Sequence, residues 1–382
     1  MPYWRLSGFY FAYFALLGGV APFLALYFAH LGFSPARIGE LVAIPMLMRC
    51  LAPSLWGWLG DRSGNRLLIV RAGALLTAIM FSAIFWRQDY LWLVWVMASH
   101  SFFWHAILPQ FEAITLEHLG DRSARYARIR LWGSVGFIAT VIGLGALLDY
   151  HGLGLYPAAM LGIMLLISLC SLWVPRPRAT TVNRVRGTLQ GFLQQLRHPG
   201  VLAFFAAVAL MQLSHGPYYT FLSVHLEALG YSRSMIGLLW ALGVVAEIVL
   251  FMVMVRVLAH FSLRQLLVGS LLLAAVRWVL IGTLADHLAV LLFAQLLHAA
   301  TFGCFHVAAI HFVQRHFSAA SQGQGQALYA SLSGVGGACG ALYAGYSWHS
   351  LGPGWTFAIA SLAAAVAAIL LLRRLPPSAT IG

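Results

Sequence analysis

From Gly243 to Phe302 the chain reads GVVAEIVLFMVMVRVLAHFSLRQLLVGSLLLAAVRWVLIGTLADHLAVLLFAQLLHAATF. The stretch is almost entirely apolar, yet it carries Glu247, Arg277 and His298, one in each successive hydrophobic segment. Each segment is long enough to cross a bilayer, which takes about 20 apolar residues. An ionisable side chain near the middle of such a span costs roughly 2.5–3.5 kcal/mol on insertion scales. Three in a row are expensive unless they face one another or a wet cavity. Buried groups that can carry or release a proton point to transport.

The rest of the chain has the same character. It has 382 residues, 61% hydrophobic and 9% charged, whereas a soluble domain is nearer half apolar and a quarter charged. Twelve apolar segments can be read along it, at about 6–30, 38–59, 67–86, 91–117, 129–149, 155–174, 201–228, 234–257, 265–285, 288–312, 324–347 and 355–372. These predict an all-α membrane protein of twelve transmembrane helices joined by short loops. The first segment is too long for a cleavable signal and is expected to be the first span.

The formal charge of +13 invites a nucleic-acid reading, which the topology dismisses. All 23 basic residues are Arg. With the N-terminus in the cytoplasm, Arg62, Arg66, Arg122, Arg125, Arg128, Arg176, Arg178, Arg184, Arg186, Arg197, Arg256, Arg264, Arg315, Arg373 and Arg374 fall at inward ends. Arg37, Arg87 and Arg233 fall at outward ends. By the positive-inside bias both termini are expected in the cytoplasm. Cys50, Cys170, Cys304 and Cys339 all lie inside expected spans, with neither a disulfide framework nor zinc spacing. They read as packing residues.

The halves repeat. Leu31-Gly32-Phe33-Ser34-Pro35-Ala36-Arg37-Ile38-Gly39 matches Leu229-Gly230-Tyr231-Ser232-Arg233-Ser234-Met235-Ile236-Gly237 at an offset of 198 residues. At that offset Gly18 meets Gly216, Arg66 meets Arg264, His100 meets His298, and Arg49 meets Glu247. A six-span period implies two like-oriented, pseudo-symmetric six-helix bundles, 1–174 and 201–382, with a binding site between them near the midplane. Between them, 175–200 is expected to be a cytoplasmic linker. Its Leu189, Phe192, Leu193 and Leu196 fall at helical spacing, predicting a short helix on the inner membrane surface. A plain tether accounts for the segment nearly as well.

The loop between the second and third spans reads Gly57-Trp58-Leu59-Gly60-Asp61-Arg62-Ser63-Gly64-Asn65-Arg66. Glycines permit the sharp reversal, and Asp61 can cap a helix or pair with a neighbouring Arg. A generic basic loop is the bland alternative. The pattern resembles the loop signature of the major facilitator superfamily, and the resemblance implies the major facilitator fold, with Gly57, Gly60, Asp61, Arg62, Gly64 and Arg66 in an inner gating loop. The second-half copy, Arg256 to Arg264, lacks the acidic residue.

Glu112, late in the fourth span, and Arg130, opening the fifth, could pair on adjacent helices, either as an interhelical clamp or as a functional site. Their spacing resembles that of the sugar-binding Glu and Arg of lactose permease. Glu247, Arg277 and His298 stand where lactose permease has an acidic residue, an Arg and a His of its substrate and proton network. One departure is that Thr301 occupies the place of its proton-carrying Glu. Any coupling would then fall to Glu247, Glu112 or His298. A closer resemblance, over nearly the whole chain, is to the family of the bacterial 3-phenylpropionate transporter. It is carried by Leu242-Gly243-Val244-Val245-Ala246-Glu247, Val276-Arg277-Trp278, Leu297-His298, Thr301-Phe302, His306, Gln212, His215, Tyr218, Tyr219 and Arg128-Ile129-Arg130-Leu131-Trp132-Gly133-Ser134.

Gln212, His215 and Tyr219 are spaced i, i+3, i+7 and share a helix face, which suits a ring-bearing substrate. An interfacial aromatic belt is the alternative for Tyr218 and Tyr219. His100, His105, His306 and His311 read as helix–helix hydrogen-bonding residues. Glycines around 334–345 read as close helix packing, and a P-loop is excluded because its Lys is missing. These features predict a secondary transporter importing a small organic acid, such as 3-phenylpropionate, with protons. Arg49 and Arg130 would hold a carboxylate bidentately or polar hydroxyls, while Tyr13, Phe14, Trp132 and Tyr219 would hold an apolar ring. Glu247, with Arg277 and His298, would take the proton. The proton gradient is the energy source, with no cofactor, metal or nucleic acid expected. One chain in a bacterial inner membrane is expected to suffice. The alternatives are the same fold carrying a sugar, nucleoside or drug in either direction, or a membrane sensor or intramembrane enzyme. The last two lack a partner domain or catalytic motif in the sequence.

Overall fold

The computed structural model describes residues 1–177 and 189–376, without the side chains of residues 121, 123 and 124. The described chain is helical throughout, with turns and short 3-10 segments between helices. The helices are α1 (Tyr3–His30), α2 (Pro35–Ser63), α3 (Arg66–Ser82), α4 (Tyr90–Leu119), α5 (Tyr126–His151), α6 (Tyr156–Trp173) and α7 (Leu189–Leu196). There follow α8 (Pro199–Ser214), α9 (Gly216–Ala228), α10 (Arg233–His260), α11 (Leu263–Leu284), α12 (Leu288–Leu296), α13 (Phe305–His316) and α14 (Gln322–Arg374). In hydrocarbon every backbone N–H and C=O must be satisfied within the chain, and a helix does this segment by segment.

Among the described residues, eleven helical segments are long and apolar enough to cross a membrane. α14 is one of them, with 53 residues. At about 1.5 Å per residue it would reach roughly 80 Å, against a hydrocarbon core of about 30 Å. It breaks at Gly352, where φ is 82° and ψ is 170°, a conformation open to glycine and closed to other residues. Pro353 then starts the next helix, where its missing N–H costs nothing. α14 is therefore two spans, and the total is the twelve that the apolar segments predicted. Two other spans are interrupted. α8 and α9 form one crossing with a break at His215. α12 and α13 form another, joined through a π-helical turn at Ala299–Cys304.

The chain divides into two compact units, Met1–Thr181 with Thr220–Ala241, and Val182–Tyr219 with Leu242–Gly382. In the first unit α1 packs on α5 so closely that a Cβ on Gly136 would collide with the Phe11 carbonyl. In the second, a Cβ on Gly336 would meet the Ala209 carbonyl, where α8 packs on α14. Phe11 and Ala209 are related by the same 198-residue offset as the two loops. Such small-residue contacts replace the hydrophobic drive that lipid removes. The loop glycines agree, with Gly32 at φ 81° and Gly230 at φ 89°. The duplication thus appears in backbone conformation as well as in sequence.

The end of α9 and the start of α10 associate with α5 in the first unit. The Asp149 carboxylate accepts from the backbone N–H groups of Arg233 and Ser234, both at 2.8 Å, capping α10. The expected linker helix is α7, and its Phe192 ring stacks on Phe317 at 5.4 Å. Residues 178–188 of that linker, with Arg178, Arg184 and Arg186, lie outside the described residues, as do 377–382.

Candidate functional site

The polar groups within the spans gather separately in the two units. In the first unit the gating-loop residues form a compact turn. Gly64, at φ 63°, ends α2, and Asn65 caps α3 by accepting from Leu68 N–H at 3.2 Å. Arg66 pairs with Asp61 at 2.8 Å and lies 3.7 Å from Glu117 on α4. Gly60 lets α2 approach α4, where Gln110 Nε2 donates to the Trp56 carbonyl at 3.2 Å. Gly57 makes no comparable approach, and the Arg62 guanidinium stands 5.4 Å from the Trp58 ring centroid.

Deeper in this unit, the Arg130 guanidinium lies 3.7 Å from the Phe14 ring centroid and 5.7 Å from that of Tyr10. Arg49, halfway along α2, is exposed. Neither guanidinium has a hydrogen-bond acceptor or a carboxylate within ion-pair distance among the described residues. The anticipated Glu112–Arg130 ion pair does not form directly. Glu112 instead accepts from the Tyr126 hydroxyl at 3.2 Å. Trp132 is turned toward the start of α1, where its indole N–H donates to Tyr3 Oη at 3.1 Å and its ring meets Trp4.

The second unit assembles the stretch quoted at the outset. Arg277 is 0% exposed, an expensive position for a cation unless its donors are filled. Its Nε donates to the Ala294 carbonyl at 2.7 Å, and one terminal nitrogen donates to Gln295 Oε1 at 3.1 Å. The other meets His298 Nδ1 at 3.0 Å and Thr301 Oγ1 at 3.1 Å. The Tyr218 ring covers the guanidinium at 4.2 Å, and the Tyr218 hydroxyl donates to Gln295 Oε1 at 2.9 Å. A guanidinium only donates, so His298 Nδ1 must accept and the ring proton belongs on Nε2. That Nε2 lies 3.3 Å from Glu247 Oε1. The contact is at ion-pair distance without hydrogen-bond alignment, and Glu247 Oε1 is buried with no other partner among the described residues. The result is a chain from guanidinium through imidazole to carboxylate.

His215, at the break in the seventh span, holds the Met211 carbonyl through Nδ1 at 2.8 Å. Its Nε2 is buried without a partner among the described residues. Its ring stacks with Tyr219 at 5.8 Å and meets Trp278 edge-on at 4.8 Å. Gln212 is half-buried one turn earlier. His306, read as a helix–helix residue, bonds Tyr329 at 2.8 Å.

Three residues of the second-unit cluster carry more than their sequence context indicated. Gln295 bridges Arg277 and Tyr218, Tyr218 is buried rather than interfacial, and Thr301 supplies Arg277 with a neutral acceptor. The available signal was spacing, because Gln295 and Thr301 each lie one helical turn from His298, on either side. Among the described residues no cluster of His, Cys, Asp and Glu is arranged to hold a metal.

Twelve spans in two repeated halves, with ionisable groups buried inside both units, define a polytopic membrane carrier. The chain belongs to the major facilitator superfamily of transporters. A family model described as the MFS_1 like family matches residues 3–359. The chain is 30% identical over 380 residues to a protein of Escherichia coli (strain K12) named a probable 3-phenylpropionic acid transporter, covering 94% of this chain and 95% of that one. It is 26% identical to a maltose permease of Geobacillus stearothermophilus, over 71% of this chain and 68% of the permease. The crystal structure of the nucleoside transporter NupG superimposes with a TM-score of 0.84 at 17% identity, covering 99% of this chain and all of that one. Proteins of this family are transporters rather than enzymes, and the molecule is a multi-pass membrane protein with a small-molecule cargo.

Proposed function

We propose that the protein is a proton-coupled symporter that imports a small organic acid such as 3-phenylpropionate. The observation that carries this reading is the buried chain Arg277–His298–Glu247. It holds a carboxylate with one imidazole contact and no aligned hydrogen bond. Proton uptake at Glu247 removes a buried negative charge and ends its attraction for His298. Arg277 keeps its four acceptors whether or not Glu247 is charged, so proton uptake leaves the rest of the cluster in place. Two conformations that differ in the environment of Glu247 are thereby shifted in population by the proton.

The acid cargo is supported by the first unit. Arg49 and Arg130 are cations without a carboxylate partner among the described residues, and Phe14 and Tyr13 provide apolar faces beside them. A guanidinium takes a carboxylate bidentately, and an aromatic ring adds apolar contact. Glu112, Gln212, His215 and Tyr219 complete the proposed substrate contacts, with Trp132 of α5 beside the start of α1, and the loop from Gly57 to Arg66 is the proposed inner gate. The name of the 30%-identical relative favours the same cargo class. The arginine asymmetry supports cytoplasmic termini, and a bacterial inner membrane with a single chain as the working unit belongs to the proposal. The 174/201 boundaries of two bundles and a linker belong to the same proposal.

A sugar is the second reading, favoured by the maltose permease relative. Uptake into proteoliposomes under an imposed pH gradient, run with 3-phenylpropionate, its uncharged amide and maltose, separates the two. Accumulation of the acid alone supports the proposal, whereas accumulation of maltose or the amide at the same rate overturns it.

A further inference from the structure

The two copies of the internal repeat differ at a pair of positions away from the buried Arg277–His298–Glu247 cluster. Arg66 is neutralised by Asp61 at 2.8 Å, with Glu117 at 3.7 Å. Its repeat mate Arg264 has no carboxylate within ion-pair distance among the described residues. One terminal nitrogen of Arg264 donates to the Leu372 carbonyl at 2.7 Å, and its Nε is buried without an acceptor. Arg373 and Arg374 follow Leu372 and are exposed. From residue 201 onward the acidic side chains are Glu227, Glu247 and Asp286. None lies at this end of α11, since Asp286 follows its opposite end. The second half therefore presents an arginine face with no carboxylate side chain to balance it.

Beside Arg264 a cleft of about 370 Å³ runs between α11 and the end of α14. Ser262, Arg264 and Gln265 line its polar end, and Val268, Gly269, Leu272 and Leu372 line the remainder. Ser262 and Gln265 are occupied with each other in a capping box, which leaves Arg264 as the charged group of the cleft. Leu272 lies about 12 Å further along the helix axis than Arg264, from headgroup depth toward the acyl chains. The cleft thus has a cationic mouth and an apolar wall in the order in which a lipid presents phosphate and hydrocarbon.

We propose that this cleft binds an anionic phospholipid of the inner leaflet, with its headgroup phosphate at Arg264 and its first acyl carbons along Val268, Leu272 and Leu372. The inference uses the membrane orientation proposed above and is independent of the cargo. The lipid phosphate supplies in the second half the negative charge that Asp61 and Glu117 supply in the first.

Native mass spectrometry of the purified full chain tests this, with phosphatidylglycerol, phosphatidylcholine or inorganic phosphate added. Two variants accompany the parent, Arg264→Gln, which removes the charge, and Gly269→Leu, which fills the cleft at a position where a Cβ meets no atom within 4 Å. The expected result is selective retention of phosphatidylglycerol that falls roughly fivefold in Arg264→Gln, the effect of one interfacial cation. It falls likewise in Gly269→Leu, with lipid-free thermal unfolding unchanged. Equal retention of both lipids, or undiminished retention in whichever variant folds, overturns the proposal. Displacement by inorganic phosphate also overturns it, since the cleft would then serve a soluble anion. Substrate uptake is not part of the readout, so a failure here is distinct from a failure of the transport reading.

Discussion

Arg277 and Glu247 sit in the same buried cluster but have opposite needs. Arg277 is satisfied by four neutral acceptors, so replacing it leaves Ala294, Gln295, Thr301 and His298 with unfilled lone pairs. Arg277→Gln should therefore destabilise the protein by about 3–5 kcal/mol, the range for removing one partner from a buried charge network, as read by denaturation in detergent. Glu247 has little to lose structurally, since one oxygen has no aligned donor. Glu247→Gln should leave unfolding unchanged and substrate exchange intact while abolishing uphill accumulation. In the first unit, Arg130→Gln should weaken binding of an anionic substrate roughly tenfold or more, the worth of a hydrogen bond to a charged group. Equilibrium binding of the acid and of its amide would show the loss for the acid alone.

At the scale of the helix, close packing and interruptions set the geometry. Gly136 and Gly143 lie on the same face-to-face partner, α5, but only the first touches a neighbouring backbone. Gly136→Ala should cost about 1–3 kcal/mol through overpacking against Phe11. Gly143→Ala should be neutral or stabilising by up to ~1 kcal/mol, because alanine favours a helix. Parallel thermal unfolding of the two variants checks the contrast. Composition was enough to place the spans, because twenty apolar residues have few other uses. The interruptions left less trace. The break at His215 coincides with Gly216-Pro217, a helix-breaking pair that the span assignment passed over, whereas the run around Ala299–Cys304 carries no local mark of a π-helical turn. Glu112 illustrates the same limit. Its nearness to the Arg130 helix was legible, but its choice of Tyr126 depends on side-chain direction, which spacing does not encode.

For the molecule as a whole, the duplication was the most legible feature, because it survives as matched turns at Gly32 and Gly230 and matched contacts at Phe11 and Ala209. The cargo was the least legible, because guanidiniums without a carboxylate partner among the described residues, if they hold the cargo as proposed, would admit any small anion of suitable shape. The account stands or falls on proton-driven accumulation. The direct measurement is uptake of labelled 3-phenylpropionate into proteoliposomes holding the parent protein or Glu247→Gln, with and without an inward proton gradient. The predicted result is accumulation above the external concentration in the parent only, abolished by a protonophore, with exchange retained in the variant. Accumulation that ignores the gradient, or that Glu247→Gln leaves untouched, would contradict it.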